Sequence, residues 1–173
     1  MAGSARTSEP AHRYLIALGS NRRHARFGAP RAVLGAALRA LEAAGIAVEA
    51  CSKAIETKPL GPSRRRYANA AAILAAPLDP DRLLAELKRI EARFGRRPGG
   101  ARWGERVLDL DLVLWNGGAW TSPGLTVPHI AFRHRRFVLA PAAQLAPGWR
   151  DPLTGLTVRQ LHARLTRPRP LPR

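Results

Sequence analysis

Asp109 and Asp111 stand at i and i+2 in an otherwise apolar run, Leu108 to Leu114, with Arg102 and Arg106 just upstream. Side chains alternate along a strand, so the two carboxylates share one face while Leu108, Leu110, Leu112 and Leu114 project to the other. A carboxylate in such a run is costly to bury unless its charge is compensated, and two on one face repel each other. A divalent cation offers that compensation. Hard carboxylate oxygens suit Mg²⁺, and neighbouring arginines suit the phosphates that Mg²⁺ accompanies. The pattern points to metal-assisted phosphoryl transfer. Two plainer arrangements remain open on these residues alone: a structural ion network of the carboxylates with Arg102 and Arg106, or a solvent-facing edge strand.

The elements that must position this pair fit into a single domain. With 173 residues and a 46% hydrophobic fraction, the chain can bury one sizeable core. No apolar run approaches the ~20 residues of a bilayer-spanning helix. Met1 to Arg13 lacks a signal-peptide core, so a cytoplasmic protein with a frayed start is the expectation. Cys51 is the only cysteine and falls in a strand-like segment, which predicts a buried thiol and no internal disulfide. The net charge of +17 invites a nucleic-acid reading, because counterion release drives basic proteins onto phosphate backbones. Lysine occurs only at Lys53, Lys58 and Lys88, and the arginines are scattered apart from Arg64 to Arg66 and Arg133 to Arg136. No RNA-recognition pattern, zinc spacing, P-loop or dinucleotide fingerprint is present, so a small polyanion suits the arginines as well as a nucleic acid does.

Along the chain, Tyr14 to Leu18 reads as a strand ending at Gly19-Ser20-Asn21. Pro30 opens a helix to about Ala44, with Val33, Leu34, Ala37, Leu38 and Leu41 on its apolar face. Ile46 to Glu56 and Tyr67 to Ala75 read as an antiparallel pair around a basic loop. Asp79 as cap, Pro80 at the first position and Gly95 as stop define a second helix, with Leu83, Leu84, Leu87, Ile90 and Phe94 buried. On that helix Glu91 is expected on the surface. Asn116-Gly117-Gly118 predicts a tight turn after the carboxylate strand. Helices are expected over 136–145 and 158–165. The order implies an α+β domain over residues 13–165, one sheet with helices packed on it, between disordered segments 1–12 and 166–173.

Five segments together carry a resemblance: Ala17-Leu18-Gly19-Ser20-Asn21, Thr57 to Pro62, Tyr67-Ala68-Asn69-Ala70, Arg102-Trp103-Gly104-Glu105-Arg106 through Asp111, and Leu125 to His129. In this order the chain resembles the 6-hydroxymethyl-7,8-dihydropterin pyrophosphokinases of folate biosynthesis, from about Tyr14 to Leu165. The resemblance implies a ferredoxin-like fold with an additional strand and C-terminal helices. It also implies a stand-alone, monomeric enzyme that moves the pyrophosphoryl group of ATP to the pterin hydroxymethyl oxygen, with no nucleic-acid or membrane partner. By the same resemblance Asp109 and Asp111 hold two Mg²⁺ ions, and Arg102 and Arg106 grip phosphate. Arg96, Arg97, Trp103, Leu112, Thr126, His129 and Arg135 belong to the ATP side, and Thr57, Leu60, Tyr67, Asn69 and Phe137 to the pterin side. Asp109 is the implied proton acceptor. In the family the Glu91 position faces the site; outside that context Glu91 reads as a surface residue, Tyr67 and Phe137 as core aromatics, and Asn69 and His129 as loop or turn residues. Lys58, Lys88, Pro98 and Ile130 depart from the family pattern, as does the loop Ser63 to Arg66.

Overall fold

The sheet is built around two strands whose residues are small or apolar on both faces. The structure is a computed structural model and describes residues 11–58, 65–95 and 106–168. Its elements are β1 (His12–Ser20), α1 (Pro30–Ala43), β2 (Ala47–Cys51), β3 (Ile55–Thr57), β4 (Tyr67–Ala76), α2 (Pro80–Arg93), β5 (Asp109–Trp115), β6 (Trp120–Ser122), β7 (Leu125–Val127), α3 (Arg136–Leu145) and α4 (Val158–Thr166), with a 3₁₀ turn at Phe132–His134 before α3. The main sheet runs β2-β4-β1-β5, antiparallel throughout, with β3 also pairing β4; β6 and β7 form a separate hairpin. This is the ferredoxin-like order that the element sequence implies.

Alternation divides the core between two faces. Tyr14, Ile16 and Leu18 of β1, with Leu110 and Leu112 of β5, pack with Val33 and Leu41 of α1 and Leu83, Leu87 and Ile90 of α2. Leu15, Ala71, Ile73 and Val113 pack instead with Val138, Leu139 and Ala142 of α3 and Val158 and Leu161 of α4. A register shift between Leu15 and Ile16, opposite Leu114 and Leu112, moves Leu114 onto this second face.

The second helix forms as its punctuation predicts. The Asp79 side chain accepts from the Arg82 amide, Pro80 opens the helix, and Gly95 follows at φ +86. Three expectations need correction. The segment Ile46 to Glu56 is not one strand, because Ser52 interrupts it and its hydroxyl accepts the Ala71 amide at 3.0 Å. Cys51 is exposed, since β2 is an edge strand that turns Ala47, Glu49 and Cys51 outward. Glu91 is fully buried, for a reason that belongs to the site. No helix of the described residues is long and apolar enough to cross a membrane.

Candidate active site

Register places the candidate residues on one end of the α3-side face. Gly19 on β1 stands opposite Asn69 on β4 and Asp109 on β5; Ala17 stands opposite Ala71 and Asp111. Tyr67 precedes Asn69 by two positions and therefore shares its face. α3 covers the Leu15 end of this face. Ala17 and Gly19 remain partly exposed although β1 is an interior strand. The result is a shallow trough with carboxylates on one wall and an amide on the other.

Each carboxylate has an arginine beside it. Arg106 Nη1 donates to both oxygens of Asp109 at 2.8 Å, and Arg135 Nη1 lies 3.7 Å from Asp111 Oδ2. The Arg106–Asp109 contact is half of the ion network considered from sequence. Both carboxylates keep access to solvent, with side-chain exposures of 23% and 28%. Arg106 is fixed through its backbone: its amide donates to Asn21 Oδ1 at 2.8 Å, and its carbonyl accepts from the Asn21 amide at 3.1 Å. Arg135 sits at the start of α3, with its guanidinium 5.7 Å from the Phe137 ring centre, and that ring packs against the second core.

The outer edge of β5 is closed by side chains, and here the default surface reading of Glu91 gives way to the site-facing one that the resemblance implies. The buried Glu91 Oε1 accepts from the Leu110 amide at 2.7 Å. Lys88 Nζ donates to Glu91 Oε1 at 2.8 Å and to the Leu110 carbonyl at 3.2 Å. Alternation along the strand then turns the backbone groups of Asp109 and Asp111 toward Gly19 and Ala17. The α2 pair thus grips the peptide groups between the two carboxylates. The sequence signal was an i,i+3 Lys–Glu pair on α2, which normally marks a solvated face.

His129 is reached through a cis Val127–Pro128 peptide. Its amide donates to the Val113 carbonyl at 3.0 Å, and its Nδ1 accepts from the Ala131 amide at 3.1 Å. The neutral ring therefore carries its proton on Nε2. Burial holds the imidazole below its ordinary pKa and Arg135 acts the same way, against the pull of Asp111 and Asp109. On the opposite wall, Asn69 Nδ2 donates to Thr57 Oγ1 at 2.8 Å. Thr126 is exposed on β7. The Leu112 side chain is buried on the far face, which leaves only its backbone for a nucleotide. Leu60, Arg96, Arg97, Arg102 and Trp103 lie outside the described residues.

Among the described residues no group of three or more His, Cys, Asp or Glu side chains could enclose a metal ion. Two carboxylates on one accessible face still fit Mg²⁺, which is commonly held by one or two carboxylates and completed by phosphate oxygens and water.

The chain has relatives of known description. A 2-amino-4-hydroxy-6-hydroxymethyldihydropteridine pyrophosphokinase of Synechocystis is 42% identical over 118 residues, 68% of this chain and 60% of that protein. The protein of the same description from Methylorubrum extorquens is 37% identical over 155 residues, 88% of this chain and 93% of that one. Plasmodium falciparum HPPK-DHPS, solved as the wild type with pteroate, has a TM-score of 0.67 at 12% identity, covering 89% of this chain and 42% of that one. That last likeness is one of fold. The chain spans less than two thirds of the Synechocystis and Plasmodium proteins and nearly all of the Methylorubrum one. Residues 15–147 match the family described as 7,8-dihydro-6-hydroxymethylpterin-pyrophosphokinase (HPPK), and the chain belongs to that family.

Proposed function

We propose that this chain transfers the pyrophosphoryl group of ATP to the hydroxymethyl oxygen of 6-hydroxymethyl-7,8-dihydropterin, in a Mg²⁺-dependent step of folate biosynthesis. The observation that carries the reading is the row Asn69, Gly19, Asp109 across three paired strands, in a chain of this family. That row supports a reading in which the Asn69 amide meets the heterocycle and the carboxylate pair beside it serves the phosphates.

Asp109 and Asp111 would hold the Mg²⁺ ions. When bound, the metal neutralises triphosphate charge and favours in-line displacement at the β-phosphorus. Arg106 and Arg135 supply cations that pair with the carboxylates in the free protein, and on nucleotide binding they turn to phosphate oxygens. The neutral His129 donates from Nε2 to the same phosphates. Asn69 offers Oδ1 to the pterin edge while Thr57 fixes its amide. Tyr67 and Phe137 provide faces on which the flat ring stacks. The new bond joins the pterin oxygen to the β-phosphorus, and the α–β bridging bond breaks. AMP departs with the bridging oxygen, and the hydroxyl proton passes to an Asp109 oxygen. Positioning and electrostatics carry the rate.

The test is AMP release from ATP and Mg²⁺ with and without the pterin. Pterin-dependent AMP, matched mole for mole by pterin pyrophosphate, is the expected result. AMP independent of the pterin, or none in its presence, would overturn the assignment.

A further inference from the structure

Asp81 stands in the first turn of α2, where a carboxylate ordinarily complements the helix dipole. Both of its oxygens are nevertheless taken by another element. Oδ2 accepts from Trp120 Nε1 at 3.0 Å, and Oδ1 accepts from the Ser122 hydroxyl. Trp120 and Ser122 are two apart on β6 and share one face, so a single carboxylate holds that face against α2 through two bonds. Packing alone does not ask for this. Trp115, which meets Trp120 edge-on at 5.6 Å, leaves its own buried Nε1 without a partner among the described residues. The strands that Asp81 grips are short: β6 and β7 have three residues each and form a sheet of their own, and a two-stranded hairpin is marginal by itself. Leu125 and Val127 bury one side of it, while Thr126 stays exposed on the other. Register sets Trp120 opposite Val127, two residues before His129, whose amide bonds the Val113 carbonyl of β5. The hairpin is therefore tied on two sides, to β5 through His129 and to α2 through Asp81.

We infer that Asp81 is a positioning residue for nucleotide binding: through Trp120 and Ser122 it fixes the β6–β7 hairpin on α2, and with it the places of Thr126 and His129. The inference rests on the nucleotide reading of the site above and deepens it. Without the carboxylate the hairpin keeps the burial of Leu125 and Val127, which is non-directional. It loses the two bonds whose geometry sets its angle on α2. The nucleotide must then order the hairpin as it binds, and that ordering is subtracted from its affinity. The pterin wall at Asn69 lies on β4 and is untouched by the change.

The experiment compares wild type with Asp81→Ala, Asp81→Asn and Trp120→Phe. It measures melting temperature, affinity for a non-hydrolysable ATP analogue with Mg²⁺, and affinity for 6-hydroxymethyl-7,8-dihydropterin at saturating analogue. In Asp81→Ala nucleotide affinity should fall about tenfold while pterin affinity stays within about twofold of wild type, because only the hairpin is misplaced. Asp81→Asn should restore nucleotide affinity, since its amide oxygen accepts from Trp120 and its nitrogen donates to the Ser122 hydroxyl. Trp120→Phe keeps a ring against Trp115 and removes only the donor. It should lower nucleotide affinity about threefold or more, and it decides the matter if Asp81→Ala does not fold. Unchanged nucleotide affinity in folded Asp81→Ala, or in Trp120→Phe where that protein does not fold, overturns the inference whatever the melting temperature, and marks a purely structural contact. So does a loss in Asp81→Asn equal to that in Asp81→Ala, which would assign the effect to charge. Wild type that binds no nucleotide overturns the proposed function and the inference together; failure of the inference alone leaves wild-type nucleotide and pterin binding in place.

Discussion

At two of the places where arginine meets aspartate in this molecule, the terms are opposite. In the segment before α4, Asp151 is fully buried and accepts from Arg133 Nε and Nη2 at 2.7 Å, Thr154 Oγ1 at 2.6 Å and the Leu153 amide at 3.1 Å. In the trough, Asp111 has Arg135 no closer than 3.7 Å, and both trough carboxylates stay partly exposed. The first pair is saturated with donors in fork geometry and ties the 3₁₀ turn to the segment before α4. At Asp111 the arginine compensates charge from 3.7 Å and leaves the carboxylate oxygens reachable, whereas Asp109 is held by Arg106. A structural ion pair fills its hydrogen-bonding capacity, whereas a site built for an incoming cation keeps some in reserve.

Removing each carboxylate should separate the two terms. Asp111→Ala is expected to lower pterin-dependent turnover at least about a thousandfold, the scale of losing transition-state charge stabilisation. Its unfolding free energy should change by less than about 1 kcal/mol, as for a partly exposed ion pair. Near-wild-type turnover at saturating Mg²⁺ would sink the metal assignment. Asp151→Ala should do the reverse. Leaving Arg133 without its partner costs about 3–5 kcal/mol, read by denaturant unfolding, while the folded fraction keeps turnover within a fewfold. An Asp151→Ala protein as stable as wild type would show that the burial there contributes nothing.

The α2 grip on β5 lies between these extremes. Glu91→Ala should remove the acceptor for the Leu110 amide and the partner of Lys88, lowering turnover about ten- to a hundredfold and raising the Mg²⁺ concentration needed for half-maximal rate. Glu91→Gln keeps an oxygen for that amide and should recover most of the loss. Hydrogen exchange at the Leu110 amide supplies an independent readout: fast in Glu91→Ala, slow in wild type and Glu91→Gln. Equal protection in all three would break the idea that Glu91 sets the carboxylate strand.

How much of this was legible in the sequence follows from the reach of each interaction. Asp79, Pro80 and Gly95 act within their own helix, so α2 could be drawn to its ends. The alternation of Asp109 and Asp111 against the leucines is equally local, and β5 carries it as read through Leu112, while Leu114 leaves it at the register shift opposite Leu15. Glu91 was expected on the surface because its deciding partner, the Leu110 amide, is on another element. Ser52 broke a strand by taking an amide from β4, and Cys51 faced outward because β2 took the edge; neither follows from local pattern. The arginine beside Asp111 comes from the start of α3, and only tertiary packing brings the two together. Asn69 and Gly19 acquire their meaning from register, which joins residues of three strands into one row.

The smallest expected effect concerns acid, and it again divides the two regions. Burial alone would raise the Asp151 carboxyl, but the bonds from Arg133, Thr154 and Leu153 together outweigh it and hold the group below its ordinary value of 3.8. A carboxylate depressed in the folded state binds its proton less readily there than in the unfolded chain. Its contribution is therefore complete above the unfolded pKa and fades as pH falls through that value toward the folded one. Between about pH 7 and 5 Asp151 should add no slope to stability, and below about pH 4 it should add a destabilising one. Asp151→Asn lacks that proton uptake, so its stability curve should run lower than wild type at neutral pH and draw closer to it in acid. Parallel curves through the acid limb would mean that Asp151 titrates alike folded and unfolded, and the contrast with the trough would then rest on geometry alone.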